Sequence, residues 1–355
     1  MQQARFARFV GYLVALPAPP IDAFLDVADW LRRFGLKTLG RSISQRILTD
    51  REKRAAFWGC VQITVAFLTT SLFPLVMLIV GPVLLGIPHV LADLRYLVAR
   101  PGLHRRPLVL FAIGFGVLAA GLGYGVRGGL VGAALALCVA RTSWARRCAG
   151  LLVVAALFVV AQRAGRMADL AFAHLHNFVG ILIWLAWRPR KTRWHLLPLM
   201  VFALGSFLVL SGLSMPLPIF TKGLEAPWTG LGMFELCQWL TPSPFDPNSV
   251  RLVLFYAFAQ GAHYVVWLRL VPEDDRPSKS PRSYAQSFRA LTSDLGAMLM
   301  WLAVMGALGL IGWAMFAPSE ARDGYLRLAF FHGHLELAAG ALLWAEGRLG
   351  FGAHT

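Results

Sequence analysis

The stretch LVMLIVGPVLLGIPHVLADLRYLV, residues 75 to 98, decides the fold because it is long and apolar enough to cross a membrane as one helix. A bilayer core about 30 Å thick needs about 20 residues of helix. Inside this run His89 and Asp93 stand four residues apart, which places both side chains on one helical face. The run therefore carries two ionisable groups into a part of the chain where water is scarce, and that needs a reason.

The composition of the whole chain favours an integral membrane protein. Of its 355 residues, 57% are hydrophobic and 15% are charged, and the mean hydropathy is +0.60. The net charge of +16 comes from short basic clusters between apolar runs rather than from one polar face. We therefore expect membrane lipids as partners and no nucleic acid.

Ten apolar runs predict an all-α, polytopic transmembrane bundle of about ten spans. The runs are residues 55–73, 75–98, 107–125, 128–140, 148–162, 168–187, 195–214, 251–270, 294–317 and 326–345. The fourth and fifth runs are short and rich in small residues. Eight full spans plus a re-entrant pair is therefore the competing count.

The charges between the runs predict the topology. With the N-terminus inside, about 26 of the 34 Lys and Arg fall in cytoplasmic segments, as the positive-inside rule requires. We expect a cytoplasmic segment at 1–54 with an amphipathic surface helix over 21–47, a bundle at 55–345 and a cytoplasmic tail at 346–355. This arrangement suits a bacterial inner membrane.

Six of the nine histidines lie within predicted spans. They are His89, His174, His176, His263, His332 and His334. Ionisable residues inside a membrane are costly and usually face a partner, a cavity or a bound ion. Six histidines on four spans indicate a shared site, for which Fe, Zn or Cu are suitable metals.

Helical geometry limits how many of these histidines can meet. Residues two apart point about 200° away from each other on a helix, so we expect one ligand from His174 and His176 and one from His332 and His334. Depth in the membrane favours one histidine per span, all in its middle third. This set is His89, His176, His263 and His334. The other member of each pair stays a candidate for a supporting or cavity-lining role.

Polar neighbours complete the candidate site. Asp93 follows His89 by four residues and Glu336 follows His332 by four, so each could orient an imidazole or bind metal directly. An ion pair of Asp93 with Arg95 or Arg100 is the alternative. Asn177 and Tyr264 are candidates for contacts to a bound ligand, with helix-to-helix hydrogen bonding as the alternative.

Several motifs are absent from the sequence. There is no HExxH, and there are no clustered histidine boxes of the membrane desaturase type. No lysine lies in a predicted span, which excludes a retinal Schiff base. A haem with two histidine ligands stays open as an alternative to directly bound iron.

The segment GIPHVLAD, residues 86 to 93, resembles a motif of the Brp/Blh family, the membrane-embedded β-carotene 15,15′-dioxygenases that cleave carotene to retinal. The shared pattern is glycine, an apolar residue, proline, histidine and a downstream aspartate. The resemblance implies that His89 is an iron ligand, with Asp93 in the matching acidic position. Histidines on the later spans would be further ligands.

The resemblance implies Fe(II) held by neutral imidazoles, with open positions for O₂ and an apolar, lipid-phase substrate. The leading hypothesis is thus a non-haem iron dioxygenase that cleaves a double bond in a carotenoid or another long apolar lipid. Two alternatives remain. One is a haem- or metal-containing redox or lipid-modifying membrane protein, and the other is a non-enzymatic transporter that uses intramembrane histidines.

Overall fold

A computed structural model describes residues 18–38, 47, 49–276 and 282–348. This part of the chain is helical and contains no strand, so the all-α prediction is confirmed. Much of the predicted N-terminal segment and most of the predicted tail at 346–355 lie outside the described residues.

Fifteen helices follow one another within the described ranges. They are α1 (Ala18–Thr38), α2 (Arg51–Leu72), α3 (Pro74–Ala99), α4 (Pro107–Tyr124), α5 (Val126–Cys138), α6 (Trp144–Ala164), α7 (Arg166–Trp187), α8 (Leu196–Leu210), α9 (Pro216–Phe220), α10 (Met233–Leu240), α11 (Ser249–Val265, extended by Val266–Leu270 and Val271–Asp274), α12 (Tyr284–Leu295), α13 (Ala297–Ala314), α14 (Pro318–Ala329) and α15 (Phe331–Ala345). Short 3₁₀ turns lie at Leu103–Arg105 and Pro227–Thr229.

Seven helical segments of the described chain are long and apolar enough to cross a membrane. These are α2, α3, α4, α6, α7, α13 and the continuous pair α14–α15, Pro318–Ala345. The protein is therefore an integral membrane protein. Every predicted run is largely helical, but α5 and α8 are shorter than a full span, so the count of ten stays a prediction.

Small residues bring α4 and α5 into close contact. A Cβ atom on Gly116 would lie 2.6 Å from the Cα atom of Gly132, and one on Gly128 would lie 2.4 Å from the backbone nitrogen of Ala120. Glycines four residues apart let two helix backbones approach in an apolar medium, where dispersion contacts rather than the hydrophobic effect drive association. α5 packs against α15 as well, so this contact helps to position the helix that carries His332.

Three π-helical turns interrupt the two helices at the centre of the bundle. In α3 they span Gly81–Leu85 and Leu94–Ala99, on either side of the segment Gly86–Asp93, and in α11 one spans Val266–Leu270. π-helical turns are rare and frequently occur at functional sites. His89 lies between the two π-helical turns of α3, and His263 lies three residues before the turn of α11.

The amphipathic helix α1 packs against α12 at one end of the bundle. The Asp29 carboxylate accepts a hydrogen bond from the backbone N–H of Tyr284 at 2.8 Å, and Arg32 donates to the carbonyl of Arg282 at 2.7 Å. Apolar side chains of α1, among them Phe24 and Trp30, remain exposed. The helix over 18–38 agrees with the first part of the surface helix predicted at 21–47, and its position on the membrane surface stays a prediction.

Candidate metal centre

His89 reaches the middle of the bundle because the residues before it allow close packing. A Cβ atom on Gly86 would lie 2.2 Å from Cζ of Tyr325, so the Tyr325 ring occupies the space that a side chain there would need. This contact fixes α3 against α14 three residues before His89, which is 1% exposed. The glycine belongs to the GIPHVLAD motif, whereas no local motif marks Tyr325, so its role was not predictable from the sequence.

Four histidines from four helices converge at this point. Nε2 of His89 lies 3.2 Å from Nε2 of His263, and the rings of His89 and His332 lie 5.0 Å apart. The His176 ring lies 5.4 Å from that of His263 and 5.5 Å from that of His332. The possible ligand atoms of His89, His263 and His332 all lie within 4.8 Å of one another. These four residues are called the histidine centre below.

Backbone carbonyls fix the tautomer of three of these rings. Nδ1 of His263 faces the carbonyl of Asn177 at 3.2 Å, Nδ1 of His176 faces that of Ala173 at 2.9 Å, and Nδ1 of His332 bonds to that of Ala329. A carbonyl oxygen can only accept a hydrogen bond, so each Nδ1 donates and each Nε2 keeps a free lone pair. An imidazole in this state is prepared to bind a metal through Nε2.

The closest nitrogen pair matches the spacing of two ligands on one ion. Nitrogens that each bind an ion at about 2.1 Å, at a right or tetrahedral angle, lie about 3.0–3.4 Å apart. The 3.2 Å between His89 and His263 falls in this range. Because Nε2 of His263 has no proton, the two atoms can attract each other only through a proton on His89 or a cation that both bind.

Two buried carboxylates complete the centre. The Oδ2 atom of Asp93 lies 3.4 Å from Nε2 of His89, and the Oε1 atom of Glu336 lies 3.5 Å from Nε2 of His263. Both side chains are 0% exposed, and none of their four oxygens has a hydrogen-bond partner in the described part of the chain. The indole nitrogen of Trp267 approaches Glu336 without acceptable hydrogen-bond geometry. Buried carboxylates without partners are costly, so their position beside imidazoles fits a bound cation.

The alternative ion pairs for Asp93 do not form. Arg95 pairs with Asp294 at 2.7 Å, and Arg100 pairs with Asp275 at 3.0 Å. Asp93 instead faces His89, one turn earlier on α3, which is the contact that their spacing predicts.

The second member of each histidine pair lies outside the centre. Nε2 of His174 contacts the carbonyl of Leu240 at 2.9 Å, and the His334 ring stacks on Phe172 at 5.1 Å. The structure thus brings His332 into the centre, rather than the His334 that membrane depth favours. Depth does not report the direction in which a side chain points, and Gly129 provides the space that the His334 ring fills.

The remaining predicted contacts support the centre from outside. The backbone carbonyl of Asn177 accepts a hydrogen bond from Nδ1–H of His263. The side-chain amide of Asn177 donates a hydrogen bond to the carbonyl of Ala173 at 3.3 Å. The buried Tyr264 packs its ring 5.3 Å from that of His89. Neither residue belongs to the group whose donor atoms converge.

An apolar groove of about 400 Å³ lies beside the centre, between α3, α13 and α14. It reaches Phe331, the neighbour of His332, and Val90, the neighbour of His89. No charged side chain lines this groove within residues 49–276 and 282–348. Its walls comprise Ile87, Val90, Leu91, Leu94, Leu299, Leu302, Ala303, Gly306, Leu310, Trp313, Gly324, Tyr325, Leu328, Ala329 and Phe331. The groove suits a hydrocarbon.

Comparisons with protein-family models, with curated proteins and with solved structures give no match to this chain. Support for a function therefore comes from the chemistry of the site.

Proposed function

We propose that the protein is a membrane-embedded, metal-dependent oxygenase that acts on a long apolar lipid, with iron bound by His89, His176, His263 and His332. The observation that carries this proposal is the convergence of four imidazoles and two unpartnered carboxylates in the interior of the bundle, beside an apolar groove. Iron bound by imidazoles supplies the activation of O₂.

The protein residues would hold the ion and shape its surroundings. The carbonyls of Asn177, Ala173 and Ala329 keep the Nε2 atoms of their histidines free of protons. Asp93 and Glu336 add negative charge next to the imidazoles, and they either orient the rings or bind the ion directly. The apolar walls limit the access of water, which strengthens these electrostatic contacts.

The groove determines the proposed substrate class. Because its walls offer hydrocarbon and aromatic surface, a ligand held there gains from apolar contact rather than from hydrogen bonds. A carotenoid meets this requirement, and the resemblance of GIPHVLAD to the Brp/Blh motif supports the oxidative cleavage of such a double bond. We propose O₂ as the second substrate.

Directly bound iron accounts for the convergence of all four imidazoles, whereas a haem with two histidine ligands would use only two of them.

We also propose the membrane placement from the charges. A bacterial inner membrane with both ends of the chain on the cytoplasmic side fits the basic loops, and α1 would then lie in the interface with its exposed apolar side chains in the lipid. Ten spans fit the same arrangement.

Metal analysis of the purified protein tests the proposal. We expect stoichiometric iron without a haem absorption band, and its loss in His89→Ala. The variant His174→Ala is the matched control because His174 lies outside the centre, and it should keep its iron. Iron-free wild-type protein, or iron that survives His89→Ala, would favour the transporter alternative.

A second test concerns the substrate. In cells that accumulate β-carotene, the wild-type protein should bleach the pigment and His89→Ala should not. If the pigment persists while iron is bound, carotene is removed as the substrate and other apolar lipids remain to be tested. A haem band would instead support the redox alternative.

A further inference from the structure

A second cavity, of about 350 Å³, adjoins the groove at Ile87, Leu91 and Ala303 and lies where α1, α12 and α13 meet α3 and the end of α11. One half of its wall is apolar and includes Leu91, Met300 and Ala307. The other half carries guanidinium groups from Arg32, Arg95, Arg269, Arg276 and Arg282. A cavity with one apolar and one cationic half is not expected for a purely apolar substrate.

The cationic half contains more positive than negative charge. Glu273 pairs with Arg54 at 2.6 Å, with Arg269 at 3.5 Å and with Arg276, so one carboxylate serves three guanidinium groups. Arg32 and Arg95 have partners of their own in Asp29 and Asp294.

Several guanidinium nitrogens at the cavity lack an acceptor. Arg276 is 8% exposed, and its Nη1 atom has no hydrogen-bond partner among the residues that the structure describes. The same holds for the Nε atoms of Arg32 and Arg269. These buried donors show that the guanidinium groups around the cavity have more N–H groups than the described residues have acceptors for them.

The titration of Arg276 is consistent with this charge excess. The pKa of Arg276 is lowered to about 10, because burial and the positive charges of Arg269, Arg54 and Arg282 together outweigh Glu273, which raises it. The guanidinium is still cationic at neutral pH, so it can bind an anion.

We propose that this cavity binds an anionic phospholipid, with its headgroup phosphate at Arg269, Arg276 and Arg32 and a hydrocarbon chain along the apolar half. Guanidinium groups bind phosphate through paired, charge-assisted hydrogen bonds. A free anion would leave the apolar wall without a partner, which favours an amphiphile. The inference does not depend on the metal centre, because no histidine of that centre lines this cavity.

Native mass spectrometry and thermal unfolding of the full-length protein in detergent test the proposal, with phosphatidylglycerol, phosphatidylcholine and inorganic phosphate as probes. We expect one tightly bound phosphatidylglycerol per chain and a higher unfolding temperature with this lipid. Arg269→Gln should weaken its binding about tenfold or more, because one charge-assisted contact is lost. The matched control is Arg251→Gln, at the opposite end of α11, which should bind normally.

A second variant separates loss of binding from loss of folding. Ala307→Phe places a ring in the apolar half without changing a charge, and it should displace the lipid and leave the iron content unchanged. The proposal is overturned if phosphatidylcholine binds equally well, if inorganic phosphate alone gives the same stabilisation, or if Ala307→Phe retains the lipid.

Discussion

The bundle contains two buried charged regions that differ in the sign of their unbalanced charge, which is negative in the first and positive in the second. In the histidine centre, Asp93 and Glu336 lie beside imidazoles, and no cationic side chain of the described residues pairs with either carboxylate. At the end of α11, Glu273 is surrounded by Arg54, Arg269 and Arg276, and the excess charge is positive. Both carboxylate regions are equally inaccessible to solvent, since Asp93, Glu336 and Glu273 are each 0% exposed.

The difference shows that burial alone does not distinguish a structural charge from a ligand. In a buried ion pair each charge is balanced by the other, so removing one partner leaves an unbalanced buried charge and is strongly destabilising. A buried carboxylate without a partner gains nothing from its position unless something else binds there. The two regions should therefore respond to substitution in different ways.

The largest expected effect separates two histidines on α15. Residues that only orient a metal ligand typically change metal affinity about 10–100-fold when they are replaced. His332→Ala removes a ligand itself, so it should lower iron affinity by more than this, and oxidation of the lipid substrate should stop. His334→Ala, two residues away, should keep both, because the His334 ring stacks on Phe172 instead. Iron content and product analysis of the two variants check this. Equal losses in both would contradict the placement of the centre.

The Glu273 region should respond through stability. Glu273→Gln leaves Arg54 buried without its full partner, and we expect a loss of about 3–5 kcal/mol in the free energy of unfolding with the iron content unchanged. Asp50→Asn is the control at a solvent-accessible ion pair: the pair of Asp50 with Lys53, at 3.7 Å, contributes about 0–1 kcal/mol, and Asn preserves the helix cap. Chemical unfolding in detergent measures both. A small effect of Glu273→Gln would remove the contrast between the regions.

The carboxylates of the histidine centre should show the reverse behaviour. Glu336→Gln should weaken iron binding about 10–100-fold, yet it should raise the unfolding temperature of the iron-free protein, because a buried carboxylate without a partner is removed. The comparison of chelated and iron-loaded samples of wild type and variant checks this. If the iron-free variant is less stable than iron-free wild type, Glu336 has a structural role instead.

Substitutions in the apolar groove test whether it holds the substrate. Gly306 lines it, and a Cβ atom there would lie 3.6 Å from Ile87, whereas one on Gly309 of the same helix would meet nothing within 4 Å. Gly306→Leu should reduce turnover of the apolar substrate about tenfold, because the side chain fills the groove, while iron stays bound. Gly309→Leu should behave as wild type. Steady-state kinetics of the two variants measure this difference in turnover.

The smallest expected effect is a pH dependence at the end of α15. Burial raises the pKa of Glu346, but hydrogen bonds from the backbone N–H of Arg141 and from Arg106 outweigh it, so the pKa lies below its ordinary value of 4.5. This stabilisation is complete above that value and is lost as the pH falls through the lowered pKa. Glu346→Gln should therefore unfold more easily than wild type at pH 7, by no more than about 1 kcal/mol, and the difference should shrink in acid. A difference that is independent of pH would contradict the role of this carboxylate.

The sequence predicted the helical bundle because long apolar runs carry their own signal. It also predicted that the histidines of four helices share a site, and that one member of each pair faces away, since both follow from helical spacing. It named both His332 and His334 as candidates but favoured His334, because membrane depth leaves the rotation of a helix about its axis undetermined. The cavity lined by arginines was not predicted either, because its charges come from segments that are distant in the sequence, such as α1 and α11.

The π-helical turns of α3 have a consequence for how the centre tolerates change. Each such turn accommodates an extra residue, so the eight residues Gly86–Asp93 are rotated relative to the helix on either side. The direction in which His89 points therefore depends on both turns. Deleting a single residue from either π-helical turn would rotate His89 by about 100° relative to one end of the helix, although every ligand would still be present in the chain.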